Sequence, residues 1–204
     1  MIAPTKGVAM VKRWETVVTA LLLLALVGCG GLRYSRVAPE AKDFHPKRIA
    51  VLPADTRAFG EAKGDIDRLF AEVLKQRKWF DDVVGGEAIA GRMAADAALR
   101  QVVTDYQAKL ANVSFSDPGL SSRIGEMTGA EAFFILRVDY WNYTTENDEK
   151  IAKVSLTVTL IEAKTGNTIW TAGHSRISDY VIIKPDLPDV ARALISDMIG
   201  YMPR

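Results

Sequence analysis

The sequence predicts an α/β domain with α+β character: a mixed five-stranded sheet in the element order β-α-β-α-α-β-β-β-α, with helices packed on the sheet. Three observations carry this. Short apolar runs early in the domain are separated by segments of helical period, as parallel strands require. Later segments follow one another through tight turns, as antiparallel strands do. The chain has 204 residues and is 49% hydrophobic, enough for one domain with a sizeable core.

Residues 48–53, RIAVLP, form a short apolar strand stopped by proline. Asp65 then reads as the cap of a helix whose Ile66, Leu69, Phe70, Val73 and Leu74 share one face. WFDDVV, 79–84, is a second strand closed by Gly85 and Gly86. Alanine-rich residues 87–111 make one or two helices with the stripe Leu99, Val102, Val103, Tyr106 and Leu110. Ser116-Asp117-Pro118 opens the next helix, with proline in the first turn, and Gly129 closes it.

A long strand follows in residues 130–143, then a turn at TENDE. In 153–163 the alternation is clean: Val154, Leu156, Val158 and Leu160 take one face, Lys153, Ser155, Thr157 and Thr159 the other. Lys164-Thr165-Gly166-Asn167 turns the chain into a return strand written NTIWTAGHSRISDYVII, in which Trp170 is a core residue. Residues 186–203 close the domain as a helix with Pro188 near its start and Val190, Leu194, Ile195, Met198 and Ile199 on one side.

The N-terminus carries an address. Lys12 and Arg13 precede an apolar run at 17–27, VVTALLLLALV, too short for a spanning helix of ~20 residues but suited to a signal peptide. Met10 is a second candidate start, with the same layout behind it. The run ends Leu26-Val27-Gly28-Cys29, which resembles a bacterial lipobox. That resemblance implies cleavage before Cys29, a diacylglyceryl group on its thiol and an acyl group on its new amine, palmitate being a typical chain. Two or three acyl chains anchor a protein durably where one binds only marginally. Gly30 stands where an aspartate, in lipoproteins of well-studied Gram-negative bacteria, favours inner-membrane retention. The expected address is therefore the outer membrane, with the domain facing the periplasm. The domain plan is a signal peptide at 1–28, the lipidated cysteine and a flexible tether at 29–47, and a single α/β domain at 48–204.

Charge narrows the function classes. Net charge is +1, and residues 1–28 hold three of the 26 basic and one of the 25 acidic side chains, so the rest of the chain is near neutral. No basic excess exists to attract nucleic acid or anionic lipid, so neither is expected as a partner. A lone cysteine excludes an internal disulfide framework and any multi-cysteine metal site.

Motifs for dinucleotide, phosphate, esterase or zinc-protease chemistry are absent from the sequence. His45 falls in the tether. His174 and Ser175 are neighbours on a strand, which sends their side chains to opposite faces. Asp81 and Asp82 split across a strand in the same way, while Glu146, Asp148 and Glu149 crowd a solvated turn without the spacing of a calcium loop. No catalytic residue, no metal, no cofactor beyond the covalent lipid and no small-molecule substrate is expected.

Two surfaces remain for partner binding. One is the loop 54–60 after the first strand, with Asp55, Arg57 and Phe59, because sites in open α/β sheets favour the carboxyl ends of strands. Against this, Phe59 has an ordinary alternative in tucking onto the first helix. The other is Tyr140, Trp141 and Tyr143, whose alternation points Tyr140 and Trp141 to opposite faces.

RIAVLP, then SSRIGEMTGAEAFFILRV, then VSLTVTLIEAKTGNTIWTA, in that order behind a lipobox, resembles the α/β domain shared by the curli-secretion channel subunit CsgG, the penicillin-binding-protein activator LpoB and the N-terminal domain of TolB. The resemblance covers most of residues 48–181. It implies a non-enzymatic envelope lipoprotein that binds other envelope proteins, or copies of itself, as an assembly or accessory factor. It also raises a CsgG-like oligomeric secretion channel, although no spare strand pair for a barrel is visible. A hydrolase of cell-wall or lipid substrates built on His174 is the remaining rival.

Overall fold

The structure, a computed structural model, describes residues 32–203. The sheet is mixed but has six strands rather than five: β1 (Leu32–Val37), β2 (Arg48–Val51), β3 (Asp82–Val84), β4 (Ala132–Glu146), β5 (Glu149–Glu162) and β6 (Thr168–Asp179). Their spatial order is β1-β6-β5-β4-β2-β3. β2 pairs in parallel with β3 and β4; β4, β5, β6 and β1 pair antiparallel.

The unforeseen strand is β1, in the stretch read as a flexible tether. Its LRYSRV segment lacks a clean apolar alternation, so periodicity misses it. What orders it is the open edge of β6, which would otherwise leave a row of backbone groups unpaired. Trp170 Nε1 donates to Ser35 Oγ at 3.0 Å. Gly173 has no side chain where the Tyr34 ring crosses the ladder: a Cβ there would stand 2.5 Å from Tyr34 Cε1. A 3₁₀ turn at Pro39–Asp43 follows and buries Ala41.

Among the described residues five α-helices cover the sheet: α1 (Asp65–Arg77), α2 (Gly86–Ala95), α3 (Ala97–Val113), α4 (Pro118–Thr128) and α5 (Leu187–Gly200). Strand alternation divides the core in two. Val51, Phe134, Leu156 and Trp170 lie with α1 and α5 on one face, where Phe70 meets Phe134 edge-on at 5.0 Å. Leu52, Phe133 and Ile161 lie with α2, α3 and α4 on the other, where Tyr106 meets Phe133 at 5.3 Å. The apolar faces read from the sequence in α1, α3 and α5 are the ones that pack.

The ends of elements follow local chemistry. Asp117 caps α4 by accepting from the Leu120 amide, and Gly129 closes it at φ +73°. Asp65 is the first helical residue of α1 rather than its cap; Gly64, at φ +85°, holds that position. The strand expected over 79–84 shortens to Asp82–Val84, leaving Trp79 and Phe80 half-buried outside it. The turn between β4 and β5 is two residues, Asn147 and Asp148, both at positive φ, the conformation of a type I′ hairpin. The return strand stops at Asp179, so Tyr180–Ile183 belong to a loop.

Candidate contact surface

The loop after β2 is held by four hydrogen bonds from three elements. The Asp55 amide donates to the Leu136 carbonyl at 2.8 Å, and the Val138 amide donates to the Asp55 carbonyl at 3.0 Å, so the loop continues the parallel pairing of β2 with β4. The Gln107 side chain of α3 donates to the Pro53 carbonyl at 2.9 Å. The Ala54 amide donates to Asp67 Oδ1 of α1 at 2.8 Å. Asp67 is itself buried, and that burial pushes its carboxyl above the usual aspartate value.

On this rigid base Asp55 and Arg57 form a forked pair, Nε to Oδ1 at 2.9 Å and Nη2 to Oδ2 at 2.6 Å. The Arg57 guanidinium holds the Asp55 carboxyl below its usual range, while Arg57 keeps 78% of its side chain in solvent. Phe59 is half-buried. It packs against the core and also meets the Tyr140 ring at 5.6 Å, tilted by 53°.

Tyr140 owes its position to a β-bulge. The β4–β5 register slips between Val138 and Tyr140, leaving Asp139 unpaired and turning Tyr140 onto the face of Ser155. Trp141, proposed from the sequence as a contact residue, is instead 3% exposed and packs in the α1/α5 core. Alternation permits only one of the two neighbours outside, and the structure puts Tyr140 there.

Polar neighbours complete the surface. Asp139 accepts from Arg137 Nε at 2.7 Å and from the Thr157 hydroxyl at 2.6 Å. Lys153 Nζ reaches Glu146 Oε1 at 2.5 Å and lies 5.4 Å from the centre of the Tyr140 ring. Of the second surface read from the sequence only Tyr140 joins the first, giving Phe59 and Tyr140 as an apolar centre with ion pairs around it, while Tyr143 packs against the α1/α5 core and bonds the Pro185 carbonyl. Arg137, Asp139 and Thr157 are members that sequence reasoning missed. The irregularity at Asp139 that brings them together has no signature in the alternation of residues 130–143.

The other candidates lie elsewhere. His174 is 4% exposed, on the α5 side of the sheet, and its Nδ1 has no hydrogen-bond partner. Ser175 points to the opposite face and bonds Ser155 at 2.9 Å. No nucleophile–base pair forms there. Asp81 and Asp82 are both exposed, their amides donating to the Lys47 carbonyl. His45 is exposed beside a depression of about 710 Å³ lined in part by Arg48, Glu126, Glu131 and Glu162. Among the described residues no group of three or more His, Cys, Asp or Glu side chains could hold a metal ion, and no helix is long and apolar enough to cross a membrane. Leu26, Val27, Gly28 and Cys29 lie outside the described residues.

No protein-family model matches the sequence, and no curated protein matches it. Solved structures do resemble it. PelC from Paraburkholderia phytofirmans, a dodecamer, superposes with a TM-score of 0.52 at 17% identity, over 83% of this chain and 95% of that one. A variant of that dodecamer in a second crystal form gives 0.53 at 17% identity, over 85% and 98%. The hypothetical protein CT253 from Chlamydia trachomatis gives 0.51 at 9% identity, over 75% and 93%. At such identities the likeness is one of architecture: the chain has the mixed α/β fold of the PelC protomer and of the chlamydial protein.

Proposed function

We propose that this chain is a lipid-anchored protein of the bacterial envelope whose domain works by protein contact, first with copies of itself, as an assembly or accessory factor without enzymatic chemistry. The observation that carries the self-association is the shared fold, which spans 95% of a protomer whose crystals hold a dodecamer. The layout of residues 12–29 supports the anchor, and the resemblance to the CsgG, LpoB and TolB domains supports a role beside a larger envelope machine. The surface around Phe59 and Tyr140 supports contact: an aromatic centre, an exposed arginine and a loop already fixed in place are what interfaces favour.

A secretion channel is the lesser reading. β4 and β5 exceed the ~9–11 residues a membrane strand needs, but Glu146, Asp148, Glu149 and Lys150 crowd the tip of their hairpin.

The test uses the full chain extracted in mild detergent. Mass measurement in solution should find a closed assembly of many protomers, and Phe59→Ala or Arg57→Ala should shift it toward smaller species. A strictly monomeric protein at micromolar concentration would rule out self-association. Labelled-palmitate incorporation that is lost in Cys29→Ser checks the anchor; an unlabelled parent chain would remove it.

A further inference from the structure

Between β6 and α5 three consecutive aliphatic side chains stand in solvent: Val181 is 87% exposed, Ile182 91% and Ile183 84%. The loop that carries them is not free to fold them away. One side chain, Tyr143, holds both of its shoulders. The Tyr143 ring meets Tyr180 edge-on at 6.0 Å, its hydroxyl donates to the Pro185 carbonyl at 2.9 Å, and Lys184 Nζ sits 3.7 Å from its ring centre. The Tyr180 amide donates to the Lys150 carbonyl at 3.0 Å. The crest between these fixings therefore presents an apolar patch to whatever lies beyond that end of the sheet.

Topology brings the start of β1 to the same end. β1 runs antiparallel to β6, with Leu32 opposite His174 and Val37 opposite Trp170. The start of β1 therefore points toward the end of β6, where the loop begins. Only Gly30 and Gly31 separate Leu32 from Cys29, about 10 Å of chain at full extension. The stretch of β6 from Ser175 to Asp179, beyond the start of β1, is about 17 Å. Lipid on Cys29 would draw this end of the sheet, with its aliphatic crest, against the leaflet.

We propose that residues 181–183 insert into the same lipid leaflet as a second foothold, which fixes the orientation of the domain on the membrane. The inference rests on the acylation of Cys29 proposed above. The occupant is the acyl-chain region rather than anionic headgroups. Lys150 and Lys184 are offset nearby by Asp148, Glu149, Asp179 and Asp186, so no cationic excess draws the loop to a charged surface.

The experiment places tryptophan in the full chain as Ile182→Trp, and separately as Val113→Trp. Val113 is 67% exposed and lies at the opposite end of the sheet, where Ser116 bonds the Gly166 carbonyl of the β5–β6 turn. Each acylated protein is mixed with phosphatidylcholine vesicles whose acyl chains are brominated, with palmitate labelling in parallel. The expected result is a blue shift and about twofold quenching of the added emission for Ile182→Trp, none for Val113→Trp, and no reversal in high salt. Palmitate incorporated without quenching at residue 182 overturns the inference and leaves the anchor standing. A chain that takes up no palmitate removes the anchor instead; the same vesicles then test the crest by itself, and absence of quenching overturns it.

Discussion

Phe59 and Tyr140 come from segments far apart in the chain, yet their rings sit 5.6 Å apart, tilted by 53°. Phe59 is brought by a loop that continues the parallel pairing of β2, Tyr140 by a bulge in β4. A tilted pair of this kind contributes about 0.5–1.5 kcal/mol beyond its buried area. We expect a double-mutant cycle on Phe59→Ala and Tyr140→Ala, read by urea unfolding, to give a coupling of about 1 kcal/mol. Additive losses would mean that the rings do not support one another in solution.

Asp67 should act against stability at neutral pH. Burial raises its carboxyl above the ordinary value of 3.8, with Glu87 adding to the rise, while the Ala54 amide opposes it. A raised carboxyl binds its proton more tightly in the folded state. Its stabilising contribution is complete below the unfolded value and is lost as pH climbs through the folded one. Asp67→Asn keeps an acceptor oxygen for Ala54 and removes the buried charge. Urea midpoints at several pH values should show the variant gaining on the parent as pH rises from acid to neutral.

Asp55 carries the opposite sign. Its hydrogen bonds to Arg57 lower its carboxyl from the ordinary 3.8. The contribution is present above the unfolded value and disappears as pH falls through the lowered one. The pair is solvent-facing, so the effect on global unfolding should be small. Amide exchange of residues 54–59 should quicken selectively in acid, and Asp55→Asn should reproduce that quickening at neutral pH.

Gly173→Ala tests the edge strand. The added methyl would meet the Tyr34 ring at 2.5 Å, and because that ring lies at the surface it can swing aside. We expect a loss of about 1 kcal/mol or less, with hydrogen exchange rising in residues 33–37 while α1 and α5 keep their protection. Unchanged exchange in β1 would show that the Tyr34–Gly173 contact does not hold the strand.

Local signals carried much of the fold. The helix from Pro118 to Thr128 is delimited by Asp117 and Gly129, whose cap chemistry acts within a few residues. The alternation of 153–163 fixes which side chains of β5 face α5, because successive residues of a strand point to opposite sides. The apolar stripe of α1 and the burial of Trp170 followed from periodicity and size alone. These features are decided by neighbours in the chain, so they can be read from it.

Tertiary structure decided what depends on partners remote in sequence. LRYSRV became β1 because β6 offered it an unpaired edge, and nothing within those residues states that. The bulge at Asp139 chose Tyr140 over Trp141 for the surface and joined it to Phe59. The sequence pattern of residues 180–183 suits a strand as well as a crest; β6 ends at Asp179, beyond which Tyr143 secures the chain as a loop. Strand pairing and ring contacts gain their free energy only when distant segments meet, so a window of neighbouring residues cannot report them.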